Sequence, residues 1–190
     1  MLKLFIPIIL CFSAMGLELK TGDILLQPLH CRLCNLIEAE TNSIYSHIGI
    51  VIDTSDEIQV AEAFIKVRSV SLDEFMSKTQ KRLKVKVVRP RFSTPNIKEL
   101  FLNKFNNLSY DSDFLWGNIN EKGEMIYCSE LIYKLLTPYS YNVPEPAPMR
   151  YNVNPKLWDK FFKGNTPRGK LGISPGMFDS EMFFDEIGEL

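Results

Sequence analysis

Histidine is scarce in this chain: its 190 residues include only two, His30 and His47. Any chemistry that needs an imidazole base must use one of them. Cysteine is nearly as rare. Of the four, Cys31 and Cys34 form a CxxC pair, and the lack of a second such pair argues against a structural zinc site. In an oxidising compartment these two thiols could close a local disulfide, and the βαβ context of a redox motif is missing. Neither sign of charge is in excess: 22 Lys and Arg against 23 Asp and Glu leave a net charge of −1, so nothing global points to nucleic acid. After the first dozen residues no apolar run approaches the length that spans a bilayer. Internal repeats and low-complexity tracts are absent too.

The N-terminus has a pattern of its own. A basic Met1-Leu2-Lys3, an apolar run from Leu4 to Phe12 and a small-residue end at Ser13-Ala14-Met15-Gly16 are the parts of a secretory signal peptide. The expected cut follows Gly16 and implies a periplasmic or secreted protein. Residues 17–190 are long enough for one core and too short to expect two, so one domain is expected.

The most informative stretch is Tyr127-Cys128-Ser129-Glu130-Leu131-Ile132-Tyr133-Lys134. Apolar residues at Leu131, Ile132, Leu135 and Leu136 have helical spacing, which puts Cys128 in the first turn of an amphipathic helix. Free backbone N–H groups and the positive end of the helix dipole favour negative charge there and can serve a developing oxyanion. A nucleophilic thiol has a physical reason to sit at this point; the structural alternative is a buried cysteine. A base is then required. His47 lies in Ser46-His47-Ile48-Gly49-Ile50-Val51-Ile52, whose alternation predicts a strand with His47, Gly49 and Val51 on one face and room beside the imidazole at Gly49. A turn at 53–57 leads to a second strand, Ile58 to Phe64. A hairpin of the two puts Glu62 nearly opposite His47, where a carboxylate would fix the imidazole tautomer and support its cation.

Gly22-Asp23-Ile24-Leu25-Leu26-Gln27, Ser46-His47-Ile48-Gly49-Ile50-Val51, Glu62-Ala63, Tyr110-Asp111, Tyr127-Cys128-Ser129-Glu130-Leu131-Ile132 and Gly172-Ile173-Ser174-Pro175 together resemble the YiiX-like branch of the permuted papain-like hydrolases, relatives of the NlpC-type cell-wall peptidases. The pieces span about residues 20 to 180 in that family's order. The resemblance implies a nucleophile at Cys128, a base at His47 and a third polar residue at Glu62. It also draws attention to Tyr110, whose hydroxyl would lie near the thiol, with Tyr127 and Ser129 as further candidates for substrate binding or the oxyanion. Circular permutation of a papain-like site accounts for a nucleophile that follows its histidine. The fold expected is α+β: a small antiparallel sheet carrying His47 and Glu62, packed against a helix carrying Cys128.

The rest of the chain adds detail. Gly22 to Gln27 is a turn and a strand, and Cys31 to Thr41 has helical character. Seven Lys or Arg residues between Lys78 and Arg91, with Leu83, Val85 and Val87 alternating, predict a strand with a basic outer face, either merely solvated or attracted to anionic polymer or lipid headgroups. Thr94-Pro95 predicts a helix start with a hydroxyl cap, running to about Asn107. Pro144 to Pro148 is an extended connection, Asn154-Pro155 opens a short helix, and the tail from Phe178 to Leu190 packs back on the domain.

These residues imply acyl transfer through a thioester to water, with no metal and no organic cofactor required. Secretion and the NlpC-type resemblance point to a small amide substrate, a peptidoglycan stem peptide or muropeptide. A lipid or ester acyl substrate of the lecithin:retinol acyltransferase type is the alternative enzyme reading, and a non-catalytic binding module is the third. An apolar entrance would favour lipid; a polar cleft with a basic residue placed for a carboxylate would favour peptide.

Overall fold

Alternating aliphatic residues set the framework, because each central strand buries both of its faces. The structure is a computed structural model that describes residues 17–190, so the expected signal peptide lies outside the described residues. In chain order the elements are β1 (Ile24–Gln27), α1 (Cys34–Thr41), β2 (His47–Asp53), β3 (Gln59–Ala63), β4 (Val67–Ser71), α2 (Leu72–Met76), β5 (Lys86–Pro90) and α3 (Ile97–Lys104). There follow β6 (Ser109–Tyr110), β7 (Ile119–Asn120), β8 (Gly123–Ile126), α4 (Cys128–Leu136), β9 (Ala147–Pro148), α5 (Pro155–Phe161), β10 (Leu171–Gly172), a 3₁₀ turn at Pro175–Phe178 and β11 (Phe184–Glu189). The main sheet has six antiparallel strands in the order β11-β5-β1-β2-β3-β4.

Two cores lie against this sheet. Ile24, Leu26, Ile48, Ile50, Ala61 and Val88 join the larger one with Ile97 and Phe101 of α3 and Leu131, Ile132, Leu135 and Leu136 of α4. The residues between them in sequence, Leu25, Val51, Val60 and Val87, join Phe75 of α2 in the smaller one. The period of two thus sorts side chains between two cores rather than between core and water. Four fully buried aliphatic side chains on α4, at about 2 kcal/mol each, fix that helix firmly against β2 and β3. The start of α4 inherits this rigidity.

Several local expectations shift. The strand expected around Leu83 starts at Lys86, because Arg82 turns the chain at φ 70° and Leu83 N–H closes the turn on Gln80 O. Five of the seven basic side chains of 78–91 are not free: Lys78, Lys84, Lys86, Arg89 and Arg91 form ion pairs with Glu62, Glu189, Asp179, Asp23 and Asp185 respectively. The helix expected from Thr94 begins at Ile97 after Asn96, which is left-handed at φ 60° and makes no side-chain cap. Thr94 instead packs under the turn at Gly22, where φ is 95° and a Cβ would come within 2.4 Å of the threonine hydroxyl. The tail returns as an edge strand, β11, beside β5.

Candidate functional site

β8 runs straight into α4 through Tyr127, an extended N-cap residue, so Cys128 is the first residue of the helix. The first intrahelical bond of α4 runs from Leu131 N–H to Tyr127 O. The N–H groups of Cys128, Ser129 and Glu130 precede it and have no acceptor within the helix. The side chains of Tyr127 and Ser129 are committed elsewhere. Ile173 N–H donates to Tyr127 Oη at 3.0 Å, and Ser129 Oγ donates to Ile173 O at 2.7 Å. The Gly172–Pro175 segment is thereby clamped to the helix start, and only the main-chain part of Ser129 remains for an oxyanion.

His47 is the first residue of β2 and is buried. Its Nε2 is 2.9 Å from Glu62 Oε2, which leaves Nδ1 for the thiol. The hairpin register differs from the sequence expectation: Glu62 pairs with Gly49, two positions along, and a bulge between Val51 and Asp53 shifts the pairing by one residue nearer the turn. Two residues of offset keep both side chains on one face, so the contact becomes a diagonal one that a long side chain can span. Gly49 does not leave space beside the imidazole. A Cβ there would lie 2.7 Å from Phe75 Cε2 and 2.7 Å from Val60 Cγ1, and Phe75 stacks on the His47 ring at 5.6 Å. The glycine exists to admit that aromatic support.

The Glu62 carboxylate is fully buried and uses both oxygens. Oε2 meets His47, while Oε1 accepts from Arg68 Nη2 at 2.8 Å, Arg68 Nε at 3.1 Å and Lys78 Nζ at 3.3 Å. Sequence reasoning missed Arg68 and Lys78. Arg68 had a signal, since it stands directly opposite Glu62 on β4, one hairpin further on. Burial alone would raise the Glu62 pKa, but the hydrogen bond and charge of His47, aided by Lys78 and Arg68, bring it down to about 2. For His47, burial works against the cation, and hydrogen bonds and charge from Cys128 and Glu62 outweigh it, raising the pKa to about 9. The imidazole therefore holds its proton easily at neutral pH.

Tyr110 ends β6, which pairs in parallel with β8 and sets Tyr110 beside Ile126, two residues before the thiol. Burial, then the charges of Cys128 and Asp111, push its phenol well above the usual value, so the hydroxyl stays a neutral donor. Asp111 shapes the loop that follows by accepting from Asp113 N–H, Leu115 N–H and Asn118 Nδ2 at 2.7–3.0 Å. Gln27, opposite His47 on β1, was also missed as a site neighbour. Its Nε2 donates to Phe75 O and Thr79 Oγ1, and its buried Oε1 has no protein partner.

Cys128, His47 and Tyr110 open on one cavity of about 320 Å³. Its walls are mostly apolar, with Leu29, Leu33, Ile37, Phe114, Met149 and Met177 among them. The Cys31–Cys34 disulfide lies in the same wall at the entry to α1, the bond that the sequence left open. Two charged side chains other than His47 reach the cavity, Glu40 and Arg150. Glu40 accepts the N–H groups of Asn152 and Val153 at 2.9 and 2.7 Å, so it is used in holding the wall.

The family model described as permuted papain-like amidase enzyme, YaeF/YiiX, C92 family, matches residues 18–166. Comparison with curated proteins gave no match. Among solved structures, the crystal structure of metalloprotein yiiX from Escherichia coli O157:H7 superposes with a TM-score of 0.78 at 20% sequence identity, covering 90% of this chain and 97% of that one. The fold is shared: a small α+β protein of permuted papain-like topology, its sheet packed against helices. A metal centre does not fit the residues found here. Among the described residues no group of three or more His, Cys, Asp or Glu side chains could hold a metal ion, and Glu62 is already engaged by His47, Arg68 and Lys78.

Proposed function

Because the chain belongs to the C92 family of permuted papain-like amidases, of the YaeF/YiiX type, we propose that it is a cysteine amidase that carries its substrate's acyl group on Cys128. One observation supports this above the others: the thiol at the head of α4 shares a cavity with His47, whose pKa is raised to about 9 by that thiol and by the buried Glu62. The proton that leaves Cys128 resides on His47 Nδ1, and the sulfur attacks the carbonyl carbon. The oxyanion is met by the main-chain N–H groups at the helix start and by the neutral Tyr110 hydroxyl. The C–N bond breaks as His47 returns the proton to the leaving amine. Water then attacks the thioester with His47 as base, and the free acid and thiol are regenerated. Glu62 orients the ring and balances its charge throughout.

The cavity lining bears on the substrate. Apolar walls favour a substrate whose acyl portion is itself apolar, a lipid-type amide or ester, over a peptidoglycan stem peptide whose charged groups would find few partners there. The test is mass spectrometry after separate incubations with an N-dodecanoyl amino acid, phospholipid vesicles and muropeptides. Cleavage of the acyl amide, with the acyl mass added at Cys128, is expected. Cleavage of muropeptides alone would return the substrate to the cell wall.

A further inference from the structure

The charge of the chain is unevenly spread. Residues 150–171 carry Arg150, Lys156, Lys160, Lys163, Arg168 and Lys170 against a single acid, Asp159, a local net charge of +5 in a chain of −1. Among the described residues one ion pair falls in this stretch, Arg168 with Asp159 at 2.7 Å. The other five cations are exposed and unpaired. This contrasts with the basic region 78–91, where five of the seven cations are bound to acidic neighbours.

The same stretch exposes apolar side chains. Val153 is 41% exposed, Leu157 50%, Phe161 39% and Leu171 48%, four of the eleven large exposed hydrophobics among the described residues. Leu157 and Phe161 are one turn apart on the outer side of α5, while Trp158 and Phe162 are buried beneath them. Phe161 stacks at 6.3 Å on Phe114, which lines the cavity. Arg150 and Trp158 line it too, and Leu171 pairs with Pro148 on its rim. The basic, apolar face and the mouth of the cavity are therefore one continuous region.

We propose that residues 150–171 form a docking face for an anionic lipid bilayer, with Leu157 and Phe161 entering the headgroup region and the surrounding lysines meeting acidic headgroups. A soluble polyanion would satisfy the charges and leave the apolar residues without a purpose, whereas a bilayer surface satisfies both. Among the described residues no helix is long and apolar enough to cross a membrane. Docking here would bring acyl chains to the cavity mouth. The face is independent of the chemistry at Cys128, so Cys128→Ala should bind as wild type does, and failure of docking leaves the catalytic reading untouched.

The experiment is co-sedimentation with vesicles of phosphatidylcholine alone and with 30 mol% phosphatidylglycerol, using the full chain so that any contribution of residues 1–16 is common to every variant. Partitioning should be roughly ten-fold stronger on anionic vesicles and fall as salt is raised, and the pair Leu157→Asn, Phe161→Asn and the pair Lys156→Glu, Lys160→Glu should each weaken it about ten-fold. Hydrogen exchange with bound vesicles should show protection confined to residues 150–171. These positions are exposed, so the variants should fold, and circular dichroism checks that they do. Equal partitioning on neutral and anionic vesicles would overturn the proposal. So would unchanged binding by the Asn pair, together with dextran sulfate protecting the same residues, which would assign the face to a soluble polymer.

Discussion

Two glutamates in this protein are equally buried and behave in opposite ways. Glu62 on β3 and Glu130 on α4 are both inaccessible to solvent. Glu62 is drawn down to about 2 because both of its oxygens are used, by an imidazole and two cations. Glu130 is raised above the usual carboxylate value because burial dominates; it has only Gly117 N–H and Lys134 as partners, and its Oε2 has none. Burial is the same and the partner count decides. Glu62 is built to stay charged beside the ring, whereas Glu130 ties the 111–118 loop to the helix and faces away from the chemistry.

The sharpest break in the comparison comes from removing what Glu62 serves. His47→Ala should lower kcat by about four to six orders of magnitude, measured on the acyl substrate identified by mass spectrometry. Glu62→Gln should cost roughly one to four orders and leave residual turnover, because the carboxylate orients the ring without carrying the proton. The pH profile separates orientation from simple loss of fold. In the wild type the imidazolium persists up to about pH 9, so activity that depends on it should decline above that value, and the decline should begin at lower pH in Glu62→Gln. An unmoved limb would remove Glu62 from the site.

Stability should sharpen the contrast further, with opposite signs. The depressed Glu62 contributes stability that is present above its unfolded value near 4.5 and lost as pH falls toward about 2. The raised His47 contributes stability that is complete below 6.5 and lost as pH rises through about 9. Glu130, with its native pKa raised, costs stability once pH climbs past 4.5. Urea unfolding of Glu130→Gln should therefore show a smaller loss of stability with rising pH than the wild type, and its kcat/KM should stay within about three-fold. A hundred-fold loss of activity in a folded Glu130→Gln would make the two carboxylates equals in the site.

How far this contrast was legible in the sequence differs between its halves. The Glu62–His47 pairing could be anticipated from alternation in two short runs, because a period of two fixes the face even when register slips. The slip itself could not, since neither the length of the turn nor the bulge at Val51 and Asp53 leaves a mark in residue types. The partners Arg68 and Lys78 arrive from the next strand and from beyond α2, and long-range placement of that kind follows from packing rather than local pattern. Helix α4 was legible because Leu131, Ile132, Leu135 and Leu136 all serve one core. The second core under the sheet was hidden: Gly49 signalled open space, and the space is filled by Phe75. The basic run at 78–91 stood out in sequence and is mostly neutralised in the fold, five of its seven cations being ion-paired, whereas the cations of 150–171, more widely spaced, became a face only once α5 and β10 were assembled.

The assignment of Cys128 as the nucleophile is decided by intact-protein mass spectrometry of wild type and Cys128→Ala during turnover. An acyl mass is expected on wild-type protein, mapped by peptide digestion to Cys128, with no adduct and no turnover in Cys128→Ala folded to the wild-type circular dichroism spectrum. Turnover at the wild-type rate by that folded variant would contradict it.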